Sequence, residues 1–85
     1  MWSRKRNSLE IFDSILRGLE EDQLKKTHIT YKANLDSRLA SKYIQALLKL
    51  DMIAKSIKDP SYFIITPKGR FFLEQYHGLV KMVDM

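Results

Sequence analysis

No cysteine occurs anywhere in the 85 residues. Disulfide scaffolds, thiol chemistry and cysteine-based zinc sites are excluded together, and an intracellular setting is expected. The two histidines, His28 and His77, are far apart and lack helical i, i+4 pairing, so neither a metal site nor a cofactor is expected. The three glycines, Gly18, Gly69 and Gly78, are isolated, which leaves no glycine-rich phosphate loop. No apolar run approaches the ~20 residues of a membrane span. The opening MWSRKRN leads into amphipathic sequence rather than a signal-peptide core, so a soluble, unprocessed, cytoplasmic chain is expected. No nucleophile–base pair and no carboxylate dyad on one face is evident, and so small a core has little room for a pocket. An enzyme is therefore not expected. Internal repeats, low-complexity tracts and interdomain linkers are also missing, which points to an arm over 1–6 and one domain over 7–85.

What is present is basic charge, unevenly spread. The total is +5. Arg4, Lys5 and Arg6 make the first six residues strongly basic, whereas Glu10, Asp13, Glu20, Glu21 and Asp22 outweigh Arg17 in the segment that follows. Residues 23–58 then carry Lys25, Lys26, Lys32, Arg38, Lys42, Lys49, Lys55 and Lys58 against Asp36 and Asp51 alone. From residue 59 onward the charges balance. An arm and a central segment of one sign are what a polyanion-binding face looks like; a solvated lysine surface is the bland alternative.

The most informative stretch lies inside that basic segment, from Asp36 to Leu50. Leu39, Ala40, Tyr43, Ile44, Leu47 and Leu48 recur three or four apart and form a broad helical stripe. The opposite face carries Ser37, Arg38, Ser41, Lys42, Gln45 and Lys49, with no acid beyond the capping Asp36. Arg and Lys bond guanine edges, Gln bonds adenine, and Ser permits close approach, so this face suits the DNA major groove.

The remaining segments read as its support. Asn7 with Glu10 is a capping-box pattern that opens a first helix, whose stripe is Leu9, Phe12, Ile15, Leu16 and Leu19 and whose end is expected near Gly18–Asp22. Leu24-Lys25-Lys26 reads as a short strand, and Thr27 as the N-cap of a helix over 28–34 with Ile29 and Ala33 inward. Asn34 offers a left-handed turn residue and Asp36 caps the next helix, which together spell helix-turn-helix. Segments 52–57 and 62–65 are β-prone and joined by a turn containing Pro60, so a hairpin follows the basic helix directly. Thr66-Pro67 then supplies an N-cap and an N1 proline for a last helix, along which Phe72, Tyr76, Leu79 and Val83 form a heptad-like seam. The fold class expected is α+β, a winged helix-turn-helix with a three-helix core, a two- to three-stranded wing sheet and a C-terminal dimerisation helix over 67–83.

The run KTHITYKANLDSRLASKYIQALLKLDMI followed by YFIITPKGRFFLE resembles small archaeal winged-helix regulators of the ArnR-like class. It is also similar to the ten-kilodalton chromatin-associated DNA-binding proteins of Sulfolobus type. Thr27, Ile29, Tyr31, Ala33-Asn34-Leu35, Tyr43-Ile44, Leu47, Ile53 and Thr66-Pro67-Lys68-Gly69 carry the resemblance, which covers about residues 8–76. It implies a homodimeric, nucleoid-associated DNA-binding protein with its third helix in the major groove. In the chromatin-associated relatives the last helix is long and pairs in an antiparallel coiled coil. Here it has room only from Pro67 to about Val83, with Gly78 interrupting it.

On this reading Ser37, Arg38, Ser41, Lys42 and Gln45 are groove contacts, and Lys32, Lys55 and Lys58 touch phosphates. Ser37 either holds a phosphate or is a plain cap residue. Arg4, Lys5 and Arg6 either thread a minor groove or form a solvated tail; Trp2 either packs back on the domain or is exposed. Phe72, Tyr76, Leu79 and Val83 form the dimer interface. Phe12, Tyr43, Phe63, Phe71, Phe72 and Tyr76 are read as core packing rather than base-stacking platforms, while Tyr31 faces either core or DNA backbone. Gly69 is expected to permit close backbone packing. The partners expected are double-stranded DNA and a second copy, with no membrane and no small-molecule ligand. The competing reading is a winged-helix adaptor that binds protein alone; it would not need basic residues aligned on the third helix and wing.

Overall fold

A computed structural model describes residues 7–84. The expectations for Trp2 and for Arg4, Lys5 and Arg6 therefore lie outside the described residues. The first helix, α1 (Ser8–Glu21), starts where Asn7 caps it: the Asn7 Oδ1 accepts the Glu10 amide at 2.9 Å, and its Nδ2 donates to Glu10 Oε1 at 3.1 Å. Ile11, Ile15, Leu16 and Leu19 make its buried stripe. Strand β1 (Leu24–Lys25) leads straight into α2 (Lys26–Lys32), and α3 (Ser37–Lys49) follows after a short turn. Then come β2 (Ile53–Lys55), β3 (Tyr62–Ile65) and α4 (Pro67–Val83). The strands form one antiparallel sheet in the order β1-β3-β2, with Leu24 opposite Phe63 and Ile53 opposite Ile65.

The core lies where α1, α2 and α3 meet the sheet, and α4 packs back on α1 and β3. Its centre is Ile15, Leu16, Ile29, Leu47 and Ile53, all essentially solvent-free. Both helices of the helix-turn-helix end in the same way, each without a glycine. Past α2, Asn34 takes φ 55°, its amide donates to the Tyr31 carbonyl, and the Leu35 amide donates to the Thr30 carbonyl at 3.0 Å. Past α3, Asp51 takes φ 60°, its amide donates to the Leu48 carbonyl, and the Met52 amide donates to the Leu47 carbonyl at 3.0 Å. These are Schellman closures, and Asn and Asp are the non-glycine residues that tolerate them best.

The last helix is tied to the second closure. Thr66 Oγ1 accepts the Gly69 amide at 3.1 Å as N-cap and donates to the Asp51 carbonyl at 2.6 Å. A Cβ at Gly69 would collide with the Met52 carbonyl oxygen and sit 2.8 Å from Ile65 Cγ1, so the close approach expected there is present. Gly78 faces open space, and α4 continues through it to Val83.

Several expectations need correction. Helix α2 spans Lys26–Lys32 rather than 28–34, and its N-cap is Lys25, not Thr27. The reason is tertiary: Leu24 and Lys25 pair with β3, so the chain turns from strand to helix at Lys26 and Thr27 falls inside the first turn. The end of α1, by contrast, falls at Glu21, within the expected Gly18–Asp22, with its acidic residues beside Lys32 (3.8 Å from Glu21) and Arg70 (4.0 Å from Glu20). Leu9 is not buried but 50% exposed, lining a groove with the end of α4. Leu39 is exposed at the start of α3, while Ala40, Ile44 and Leu47 carry that stripe. Phe71 is 60% exposed: α4 turns Phe72 toward Phe12, and a helix sends the neighbouring residue ~100° away. The strand expected over 52–57 is confined to Ile53–Lys55.

Candidate nucleic-acid interface

The exposed face of α3 is built by local chemistry at its start and by packing along its back. The Asp36 Oδ1 accepts the Leu39 amide at 2.8 Å, so Asp36, not Ser37, is the cap. Ala40, Ile44 and Leu47 bury the opposite side, and the 3.6-residue period then turns Arg38, Lys42, Gln45 and Lys49 to solvent. Ser41 is half-buried. Tyr43 anchors the helix laterally: its ring meets Phe12 edge-on at 5.7 Å, and its hydroxyl lies 3.2 Å from the Ser8 hydroxyl. Lys42 Nζ sits 6.0 Å from the Tyr43 ring centroid, at the outer limit of a cation–π contact. Ser37 lines a shallow hollow of about 230 Å³ with Lys26, Thr27 and Thr30, so the starts of α2 and α3 adjoin.

The wing continues from this helix after the Asp51 turn. Lys55 and Lys58 are both exposed on it. The Ser56 amide donates to the Tyr62 carbonyl and the Tyr62 amide to the Asp59 carbonyl, each at 2.9 Å. Asp59 Oδ1 accepts from the Ser61 hydroxyl at 2.7 Å and the Ser61 amide at 3.0 Å. The Ser61 hydroxyl first, then its amide, hold the Asp59 carboxyl below its ordinary pKa, with Lys25 assisting. Lys25 itself lies over the Tyr62 ring, 5.3 Å from its centroid.

Not every expected residue is brought to this side. Lys32 stands at the end of α2 beside Glu21 and lines a hollow with Ser14, Arg17 and Gly18, against α1 rather than α3. Tyr31 answers its open question by exposure, at 87%, in a groove with Thr27, Thr30, Asn34 and Leu35. A hollow of about 400 Å³ on its other side is lined by Leu24, His28, Lys32 and Tyr62.

The four seam residues of α4 divide in two. Phe72 packs edge-on against Phe12, and Tyr76 stacks on Phe72 at 5.8 Å, so these two belong largely to the chain's own interior. Leu79 and Val83 are exposed, Val83 at 82%, and with Leu9, Tyr76 and Val80 they line an apolar groove of about 450 Å³. Leu9 and Val80 were not singled out with the seam, because periodicity identifies an apolar face but not whether the same chain covers it. Missed as well was Asp13, buried at the α1–α4 contact. It meets His77 Nε2 at 2.9 Å and Arg17 Nη2 at 2.9 Å, with a lone acid among apolar stripe positions as its only sequence signal.

Comparison with known proteins agrees with this architecture. A family model described as winged helix-turn-helix matches residues 5–84. Two uncharacterized proteins of Methanocaldococcus jannaschii are related in sequence. MJ0287 is 42% identical over 80 residues, 94% of this chain and 79% of its own length. MJ0290 is 35% identical over 81 residues, 95% of this chain, which spans only 37% of that longer protein. Among solved structures, Sso10a-2, a DNA-binding protein from Sulfolobus solfataricus, superposes with a TM-score of 0.79 at 28% identity, covering 93% of this chain and 83% of that one. The chain belongs to the winged helix-turn-helix family.

Proposed function

We propose that this winged helix-turn-helix protein binds double-stranded DNA as a homodimer and acts as a nucleoid-associated transcription regulator, with α3 in the major groove. The observation that carries the reading is the outer face of α3: Arg38, Lys42, Gln45 and Lys49 stand in solvent with no acid among them. Such a face has the donors that guanine and adenine edges accept and the charge that phosphates attract. Arg38, Ser41, Lys42 and Gln45 are assigned to the groove. Ser37 at the first turn, and Lys55 and Lys58 on the wing, are assigned to phosphates, which set register without reading sequence. Lys32, beside Glu21, contributes less. The kinship with a DNA-binding Sulfolobus protein supports the same reading. Dimerisation is assigned to the apolar end of α4, with Leu79 and Val83 at its centre and Leu9 and Val80 beside them.

The test is a salt-titrated binding series on random duplex DNA for the wild type and for Arg38→Ala/Lys42→Ala. Wild-type affinity is expected to fall steeply with salt. For every phosphate that the double variant no longer neutralises, the log–log slope should flatten by about 0.9, and every base edge it no longer reads should cost about 1–3 kcal/mol. Intact binding in the variant would move the interface to the arm or wing. An absence of binding at low salt would favour a protein-binding adaptor.

A further inference from the structure

The apolar groove at the end of α4 opens where the described chain begins. Asn7 and Asp84 line it together with Leu9, Leu79, Val80 and Val83, so residue 6 joins the domain at the groove itself. No other short stretch among the described residues exposes as many large apolar side chains as Leu79, Val80, Met82 and Val83. Upstream of Asn7 the sequence runs Trp2, Ser3, Arg4, Lys5, Arg6: one large aromatic ring, then a basic stem. At ~3.3–3.6 Å per residue, the five residues from Trp2 to Asn7 span up to about 17 Å. Leu79 and Val83 are only about one helical turn apart, ~6 Å, so both lie within that reach.

Charge fits as well. The end of α4 carries Asp84 and the negative pole of the helix dipole beside one base, Lys81. The pole and the carboxylate attract the Arg4-Lys5-Arg6 stem. A buried indole N–H needs an acceptor, and Asp84 places a carboxylate at the groove.

We propose that Trp2 docks in this groove in the monomeric chain and covers it until a second copy displaces it. The competition rests on the reading above, in which the α4 end is the dimer surface; the docking of Trp2 does not. Leu79 and Val83 cannot be buried by the ring and by a partner at once. A tether of five residues keeps Trp2 at a local concentration on the order of millimolar, so in dilute protein the chain's own ring is the occupant. Self-association is thereby held back: a groove open about a tenth of the time weakens each copy's binding about tenfold.

Trp2 is the only tryptophan, so its fluorescence, excited where tyrosine does not absorb, reports the groove directly. The full chain is measured at a dilution where sedimentation shows a monomer, with the urea-unfolded chain as reference. The wild type is expected to emit at shorter wavelength than the reference and to be shielded from acrylamide. Leu79→Ser/Val83→Ser should return both readings to those of the reference. Its thermal midpoint should move little, since both side chains are exposed. Trp2→Ser should tighten self-association by about 10–100-fold, because one or both copies no longer have to vacate the groove. Wild-type emission like that of the unfolded chain would overturn the docking, and so would shielding that the double serine variant keeps. Shielding that arises only as the dimer forms would place Trp2 against the partner copy and overturn it also. A dimer that Trp2→Ser weakens or leaves unchanged would overturn the competition. If neither protein self-associates at any concentration, the dimer reading fails, while emission still decides the docking.

Discussion

Helices α3 and α4 are both amphipathic, and each leaves a face in solvent, but the two faces differ in kind. That of α3 is polar and basic, with Arg38, Lys42, Gln45 and Lys49 along it. The exposed end of α4 is apolar, with Leu79, Val80, Met82 and Val83 over its last two turns. A polar face is stable in water without a partner, and its basic charge attracts anions. An apolar end gains free energy when it is covered, and it lines a groove shared with Leu9. On the proposed reading, one region recruits by electrostatics and the other by burial.

Substitutions separate the two. The largest effect is expected inside α3 rather than on its surface. Leu47 has no solvent exposure, so Leu47→Ala should lower unfolding free energy by about 2–5 kcal/mol in denaturant titrations, through lost transfer energy and a residual cavity. The same truncation at Leu79 should leave the stability of the separated chain nearly unchanged. Next comes the apolar end itself. Leu79→Glu/Val83→Glu should weaken self-association by about 10²–10³-fold, as unpaired charge in an interface costs ~3–5 kcal/mol. Sedimentation should then report a monomer, and the concentration dependence of the melting temperature should vanish. If the wild type is itself monomeric at all concentrations, burial is the wrong account of the α4 end.

A smaller effect tests what holds α4 in place. Asp13→Ala removes the acceptor shared by His77 and Arg17 and should cost about 1–3 kcal/mol in thermal or chemical unfolding. The smallest concerns the wing. The folded Asp59 pKa lies below its unfolded value, so the stabilisation it brings is present at neutral pH and is lost only as pH falls through the lowered folded pKa. Amide exchange at Ser61, read by NMR, should show the turn intact until pH drops beneath the usual aspartate range. Asp59→Asn should loosen that turn while leaving the core unchanged.

Where a feature depends on residues close in the chain, it was legible. Asn7, Asp36 and Thr66-Pro67 cap the helices as their side chains suggest, and Asn34 takes the left-handed turn expected of it. The strand at 62–65 has the limits its β-branched and aromatic content implied. Asp51 shows the limit of this kind of reading. Its φ of 60° completes a closure like that at Asn34, but an aspartate after a helix carries no such signal until the wing is known to fold back on it. The candidate site follows the same division. The polar face of α3 could be drawn from its period, yet the position of Lys32 against α1 could not, because it depends on how two helices meet.

By itself the sequence determined the element order, the basic outer face of α3 and the apolar seam of α4, since each follows from periodicity, capping and charge within a short window. Only the tertiary structure decided which apolar residues the chain covers for itself. It paired β1 with β3 and so moved the start of α2 to Lys26; it turned Phe72 onto Phe12 with Tyr76 stacked on Phe72, and left Leu9, Leu79 and Val83 outside. It also placed Asp13 between Arg17 and His77, across sixty-four residues of chain in the latter case. Burial is a property of the whole packing arrangement, and no local pattern contains it.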